Sequence, residues 1–149
     1  MLKWDAFSGF ESDNNIPTGT IGAIAKNEWI GYLLSYYENR HFILQNGTLD
    51  LTTNVTTITK MTFEKYKVKL DNGFQVFGKN MALYPFDYLC AKNHSNGIVD
   101  KTENTYTIHH FSGSWVPKKI KIRHNIRIIL QSLFGVKFVN LLRKLLNIN

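Results

Sequence analysis

The stretch YTIHHFSGSW, residues 106–115, concentrates the chain's reactive side chains. Two adjacent imidazoles end an alternating apolar run, a Ser-Gly-Ser turn follows, and a tryptophan closes the block. In an extended strand successive side chains face opposite sides, so only one of His109 and His110 can enter a given site. A neutral imidazole ligates a divalent cation and donates its other N–H to a supporting group. Gly113 lets the backbone turn sharply or approach a ligand closely. Trp115 can cover a ring or donate one hydrogen bond through its indole. A metal, a close backbone and an aromatic cover suit a nucleotide-diphosphate sugar, whose pyrophosphate leaving group needs its charge neutralised. The same residues also suit a plain strand end, with one histidine inward, the other outward and Trp115 in the core.

Other reactive residues point less clearly. Cys90 is the single cysteine, so no intrachain disulfide forms. Nothing near it in sequence supplies a base, and a lone cysteine reads as a small buried hydrophobe. His41, His94, His109, His110 and His124 share no zinc-motif spacing. Asp5, Glu11 and Asp13 could include a base, but the sequence singles out none. Asp87 reads as the cap of a turn.

The elements that must position these residues alternate between strand and helix patterns. Asp5 to Glu11 alternates as a strand, "SDNNIPTG" is a loop, and "TIGAIA" is a second short strand. Asn27 is placed as an N-cap with Glu28 in the first turn. Ile30, Leu33, Leu34 and Tyr37 then predict an amphipathic helix over 28–39 with those four facing the core. Residues 54–66 carry threonines that favour a strand, but Val55, Ile58 and Met61 recur every third residue, and we read the segment as helix. "FQVFG" and "MALYP" read as short strands after the turn at 71–73, and 105–111 as the last strand. The tail from Lys118 predicts helix in two pieces, broken near Gly135.

The 149 residues suffice for one domain of ordinary size, and 44% hydrophobic content fits a packed core. The charge is uneven. Lys118, Lys119, Lys121, Arg123, Arg127, Lys137, Arg143 and Lys144 give the tail eight cations and no acid. Set against a whole-chain charge of +7, that leaves residues 1–117 at −1. Such a tail serves an anionic membrane surface, nucleic acid, or a solvated helix face. Over Val136–Asn147, Lys137, Asn140, Lys144 and Asn147 form one stripe opposite Phe138, Val139, Leu142, Leu145 and Leu146. Basic–aromatic interleaving is missing outside the tail, so a nucleic-acid partner is not expected. No secretory h-region and no transmembrane-length apolar run is seen, which reads as a cytoplasmic chain, peripheral at the inner face of the cell membrane if the tail anchors it.

The block "TENTYTIHHFSGSW" resembles the C-terminal motif of bacterial capsular-polysaccharide glycosyltransferases. These are the DXD-containing sugar transferases of glycosyltransferase family 32, related to yeast α-1,6-mannosyltransferases. "DAFSGFE", "IPTGTIGAIAKNEWI", "LLSYYENRHFI", "GTLDLTTNVTTIT" and "ALYPFDYLCAK" are similar to consecutive blocks of that family, and together they cover about residues 4–117.

The resemblance implies the C-terminal portion of a GT-A-like α/β fold with an incomplete sheet, residues 1–117, followed by a basic helical tail, 118–149. It implies a metal-dependent transferase that moves a sugar from a nucleotide-diphosphate donor to a saccharide or lipid-linked saccharide in surface or capsular polysaccharide synthesis, with Mn²⁺ or Mg²⁺. Carried over, His110 becomes the metal or diphosphate ligand, with His109 the alternate. Gly113, Ser114 and Trp115 contact the donor. Thr18 and Gly19 line the sugar pocket, where a plain turn reads equally well. The family's Asp-X-Asp follows a Gly-Gly-Ile-Tyr-Leu-Asp-like strand upstream of the "AFSGFE" block. This chain has no Asp-X-Asp, and Glu11-Ser12-Asp13 is its nearest imitation. The expectation is the C-terminal portion of a transferase, as a truncated gene, a split enzyme or a fragment of a longer reading frame, and a poor catalyst alone. The second class open to the sequence is a non-catalytic module led by the basic tail, on a membrane surface or on nucleic acid.

Overall fold

The computed structural model describes residues 1–94, 96–112 and 118–145, without the side chains of residues 124, 136, 143 and 144. It is a mixed α/β fold with a four-stranded sheet. The strands β1 (Ala6–Gly9), β2 (Ile21–Ala23), β3 (Gln75–Phe77) and β4 (Met81–Tyr84) lie in the order β2-β1-β4-β3. β1 and β4 pair in parallel, from Ala6↔Met81 to Gly9↔Tyr84, and β2 and β3 flank them antiparallel. β4 is buried along its whole length, which explains the continuous apolar run "MALY".

Helices α1 (Glu28–Ser35) and α2 (Asn54–Tyr66) pack together over the sheet. Asn27 caps α1 as expected, its side chain accepting from the Trp29 and Ile30 N–H groups at 3.0 and 3.3 Å. α2 confirms the helical reading of 54–66, and its threonines have a purpose there. Thr59 Oγ1 accepts from the buried Ile16 N–H at 2.9 Å, and Thr62 Oγ1 from Trp29 Nε1 at 2.9 Å. Two donors that would otherwise be buried without a partner are thereby satisfied.

Two expectations about α1 are corrected. It ends at Ser35 rather than 39, because Tyr37, Glu38 and Arg40 N–H groups each reach back only three residues and Asn39 turns left-handed at φ 59°. Its buried face is Trp29 and Leu33 with Ile30 partly covered, while Leu34 is 61% and Tyr37 43% exposed. Two apolar stripes compete on this helix. The one carrying the tryptophan wins, since it removes the most apolar area from water.

The expected strand over 105–111 is also corrected. These residues pair with the end of a four-residue helix, α3 (Phe86–Leu89), that sequence periodicity did not predict. A helix end leaves unpaired carbonyls. Tyr88 O accepts from Tyr106 N at 2.8 Å, Leu89 O from Thr107 Oγ1 at 2.7 Å, and Cys90 O from His109 N at 2.9 Å. Phe111 then turns left-handed at φ 53°, so no ladder can continue. The tail follows its prediction: α4 (Lys118–Phe134) and α5 (Val136–Leu145) meet at Gly135, whose φ of +81° suits a residue without a Cβ.

Candidate functional site

Open α/β sheets receive ligands beyond the carboxyl ends of their parallel strands. Here that edge is where Gly9 and Tyr84 end β1 and β4, with Phe10 N donating to Tyr84 O at 3.0 Å to carry the pairing one step further. A Cβ at Gly9 would lie 3.2 Å from Leu89 Cβ, so the glycine lets α3 sit close against β1. This brings Glu11, the loop 12–20, Cys90 and residues 106–110 to one end of the sheet.

Within that cluster the "PTGT" loop meets the histidine block. A Cβ at Gly19 would stand 2.9 Å from His109 Nδ1, so bare backbone is what lets the imidazole lie against the loop. Thr20 Oγ1 lies 3.3 Å from Thr107 Oγ1, and Thr20 O accepts from Ser8 Oγ at 3.0 Å, tying the loop to both the segment and β1. The His109 ring also packs on Phe111, with centroids 4.1 Å apart. His109 Nδ1 is buried and no described residue pairs with it. Burial holds the imidazole below its ordinary pKa, and the neighbouring His94 and His110 push the same way. His109 is therefore the neutral ring that ligation or hydrogen bonding requires.

His110 faces out instead. It lines an open groove of about 400 Å³ with Lys101, Thr102, Thr105, Tyr106 and Thr107. Lys101, Thr105, Tyr106 and His110 give it donors for an anionic, hydroxyl-rich ligand, while the Thr102 and Thr107 hydroxyls already donate to Asp87 Oδ2 and Leu89 O. Lys92 Nζ donates to the His110 carbonyl at 3.2 Å and fixes the backbone beneath the ring. Thr102 Oγ1 in turn donates to Asp87 Oδ2 at 2.7 Å, so Asp87 anchors the groove wall as well as opening α3.

Two further titratable groups lie near this end of the sheet. Burial raises the Glu11 carboxyl above its ordinary pKa. It also pushes the Cys90 thiol up to about 11, with the Glu11 charge adding to the effect. At neutral pH Cys90 is a thiol and not a nucleophile. Among the described residues no group of three or more His, Cys, Asp or Glu side chains could hold a metal ion. His110 or His109 would thus be a single protein ligand, and the described residues do not by themselves form a complete metal centre.

No protein-family model, no curated protein and no solved structure matches the chain. Of the residues singled out in the sequence, Gly19 and His109 are in contact, Thr18 is exposed beside them, and His110 opens onto the groove. Gly113, Ser114 and Trp115 lie outside the described residues. Sequence reasoning passed over the groove lysine Lys101 and did not single out Glu11 among Asp5, Glu11 and Asp13. The signal for Glu11 was its place at the carboxyl end of the first strand, a position that becomes informative only once β1 and β4 are known to be parallel.

The two shifted groups give opposite pH dependences. His109 has a depressed folded pKa, so its contribution to stability is present above its unfolded pKa and is lost as pH falls through the folded value. Glu11 has a raised folded pKa, so its contribution is present at low pH and is lost as pH rises through the folded value. Urea midpoints measured at about pH 7 and about pH 5 should separate them. His109→Gln should flatten the loss of stability on acidification, and Glu11→Gln should steepen it. Identical profiles for both variants and the parent would show that neither group is buried as described.

Proposed function

We propose that this chain carries donor-site residues of a metal-dependent glycosyltransferase that moves a hexose from a nucleotide-diphosphate sugar onto a saccharide or lipid-linked saccharide in surface or capsular polysaccharide synthesis. The observation that carries the reading is the contact between Gly19 and His109 at the carboxyl edge of the parallel pair, beside the groove lined by His110. Two blocks far apart in sequence, each similar to a donor-site block of glycosyltransferase family 32, meet at one place in the fold. A GT-A-like arrangement is the finer fold reading that goes with it, and the parallel β1–β4 pair supports it.

In this reading Lys101 and the Thr105 hydroxyl hold the diphosphate and sugar oxygens, and Tyr106 bounds the groove. Neutral His109 keeps the Gly19 backbone in place. His110 would be the ligand that the described residues offer a divalent ion, Mn²⁺ or Mg²⁺, which would supply neutralisation of the diphosphate charge. The Asp-X-Asp pair that such transferases use is absent from these 149 residues. Binding by the chain alone should consequently be weak, no tighter than roughly millimolar, or about −4 kcal/mol.

Nuclear magnetic resonance reads affinities of that order and also locates them. Paramagnetic Mn²⁺ with UDP- or GDP-sugars should broaden signals of His109, His110, Glu11 and the 18–20 loop, and either component alone should do so less. No broadening at these positions at several millimolar of both would overturn the proposal.

A further inference from the structure

The α4–α5 hairpin is turned the wrong way for a helix pair that only completes a core. On the side of α4 that meets the rest of the chain, Gln131 is buried and Ile128 lies 3.6 Å from where a Cβ on Gly97 would stand. The opposite side carries Ile122, Ile126, Ile129 and Leu133, spaced i, i+4, i+7 and i+11, each between 51% and 69% exposed. An ordinary surface helix shows the reverse pattern. α5 repeats the feature. Val139 is its buried residue, while Phe138, Leu141, Leu142 and Leu145, at i, i+3, i+4 and i+7, stay open to solvent. The rings of Phe134 and Phe138, both about half exposed, stand 5.9 Å apart across Gly135 and link the two stripes.

The charge beside these stripes selects the occupant. The segment from Lys118 onward has eight Lys and Arg residues and no Asp or Glu. On the helical wheel Lys118 and Lys119 border the α4 stripe on either side, and Lys137 lies at the border of the α5 stripe. A second copy of the same hairpin would bring eight positive charges against eight more, which opposes self-association. A surface that is both apolar and anionic suits both features. No helix among the described residues is long and apolar enough to cross a membrane. An amphipathic helix with a basic border lies in the interface rather than spanning it.

We infer that the α4–α5 hairpin docks on the surface of an anionic lipid bilayer, with the isoleucine–leucine stripe and the Phe134–Phe138 pair entering the headgroup boundary and the bordering lysines meeting lipid phosphates. The inference rests on the tail alone and stands or falls separately from the donor-site reading.

Co-sedimentation of the full chain with vesicles tests it. The chain should pellet with phosphatidylcholine–phosphatidylglycerol vesicles, much less with phosphatidylcholine alone, and less as salt is raised. Replacing Lys118, Lys119 and Lys137 by Gln should lower partitioning roughly fivefold per charge removed. The double variant Ile126→Ser, Leu133→Ser changes only exposed side chains. It should lose at least about tenfold while its circular dichroism keeps the helical signal. Recovery of the parent chain in the supernatant with anionic vesicles overturns the inference, as does equal binding to neutral ones. Sedimentation equilibrium covers the competing occupant: a dimer that the Ile126→Ser, Leu133→Ser variant abolishes would assign the stripe to a second copy instead.

Discussion

Trp29→Ala should destabilise the chain by about 3–5 kcal/mol. The indole has no exposed surface, meets Phe77 edge-on with centroids 5.1 Å apart, and donates to Thr62 Oγ1 at 2.9 Å. Phe77 is itself held edge-on by Tyr66 at 5.2 Å. Truncation therefore leaves a cavity between α1, α2 and β3, and strips a fully buried hydroxyl of its donor. A domain of this size is commonly stable by about 5–15 kcal/mol, so most of the margin would go. Trp29→Phe separates the two causes, because it keeps a ring in the cavity and removes only the hydrogen bond, at about 1–3 kcal/mol. Leu34→Ala, on the exposed side of the same helix, should stay within about 0.5 kcal/mol. Urea unfolding with an unchanged m-value measures all three. A loss below about 1 kcal/mol for Trp29→Ala, or a large one for Leu34→Ala, would mean that α1 packs on its other face.

That comparison also marks what was legible in the sequence. Local signals were read correctly where one physical cause dominates. Asn27 stands where a cap is needed, Gly135 breaks the tail helix, and the alternation in "DAFSGFE" and the short apolar run "MALYP" both read as strands. Reading failed where tertiary partners decide. The face of α1 depends on Thr62, which lies 33 residues away in sequence. The extended stretch 105–111 has strand composition, yet its donors go to the carbonyls at the end of α3, and α3 is too short to show a period. Threonines in α2 look like strand residues until their hydroxyls are seen accepting from buried N–H groups.

The candidate site divides along the same line. Gly19 and His109 stand out in sequence as residues of special chemistry, but their contact is a property of the fold. Along the chain nothing assigns Glu11 or Cys90 a role. In the fold Cys90 is buried and Glu11 half-buried, and burial raises the pKa of each. The tail's charge was plain from composition. That its apolar stripe faces away from the rest of the chain could not be seen until Gln131 and Ile128 were found on the inner side.

His110→Ala should cut sugar transfer at least about a hundredfold while leaving the urea midpoint unchanged. The ring is exposed and borders the groove, so its removal opens no cavity. In the proposed donor site it supplies a ring nitrogen beside the charged end of the donor, a group whose loss would fall on the transition state rather than on folding. His109→Ala should behave in the opposite sense. It empties the space between Gly19 and Phe111 and frees the loop that Thr20 ties to Thr107, so stability should drop by about 1 kcal/mol or more. Its effect on transfer should follow from that loosening and be partly rescued by a flat, neutral side chain such as Gln. Release of nucleoside diphosphate from a transfer-competent form of the chain, read alongside the unfolding midpoint, distinguishes the two histidines. Loss of transfer in His109→Ala at full stability, with His110→Ala unaffected, would exchange their roles and put the ligand on the buried ring. Wild-type transfer in both variants would remove the histidine block from the donor site altogether.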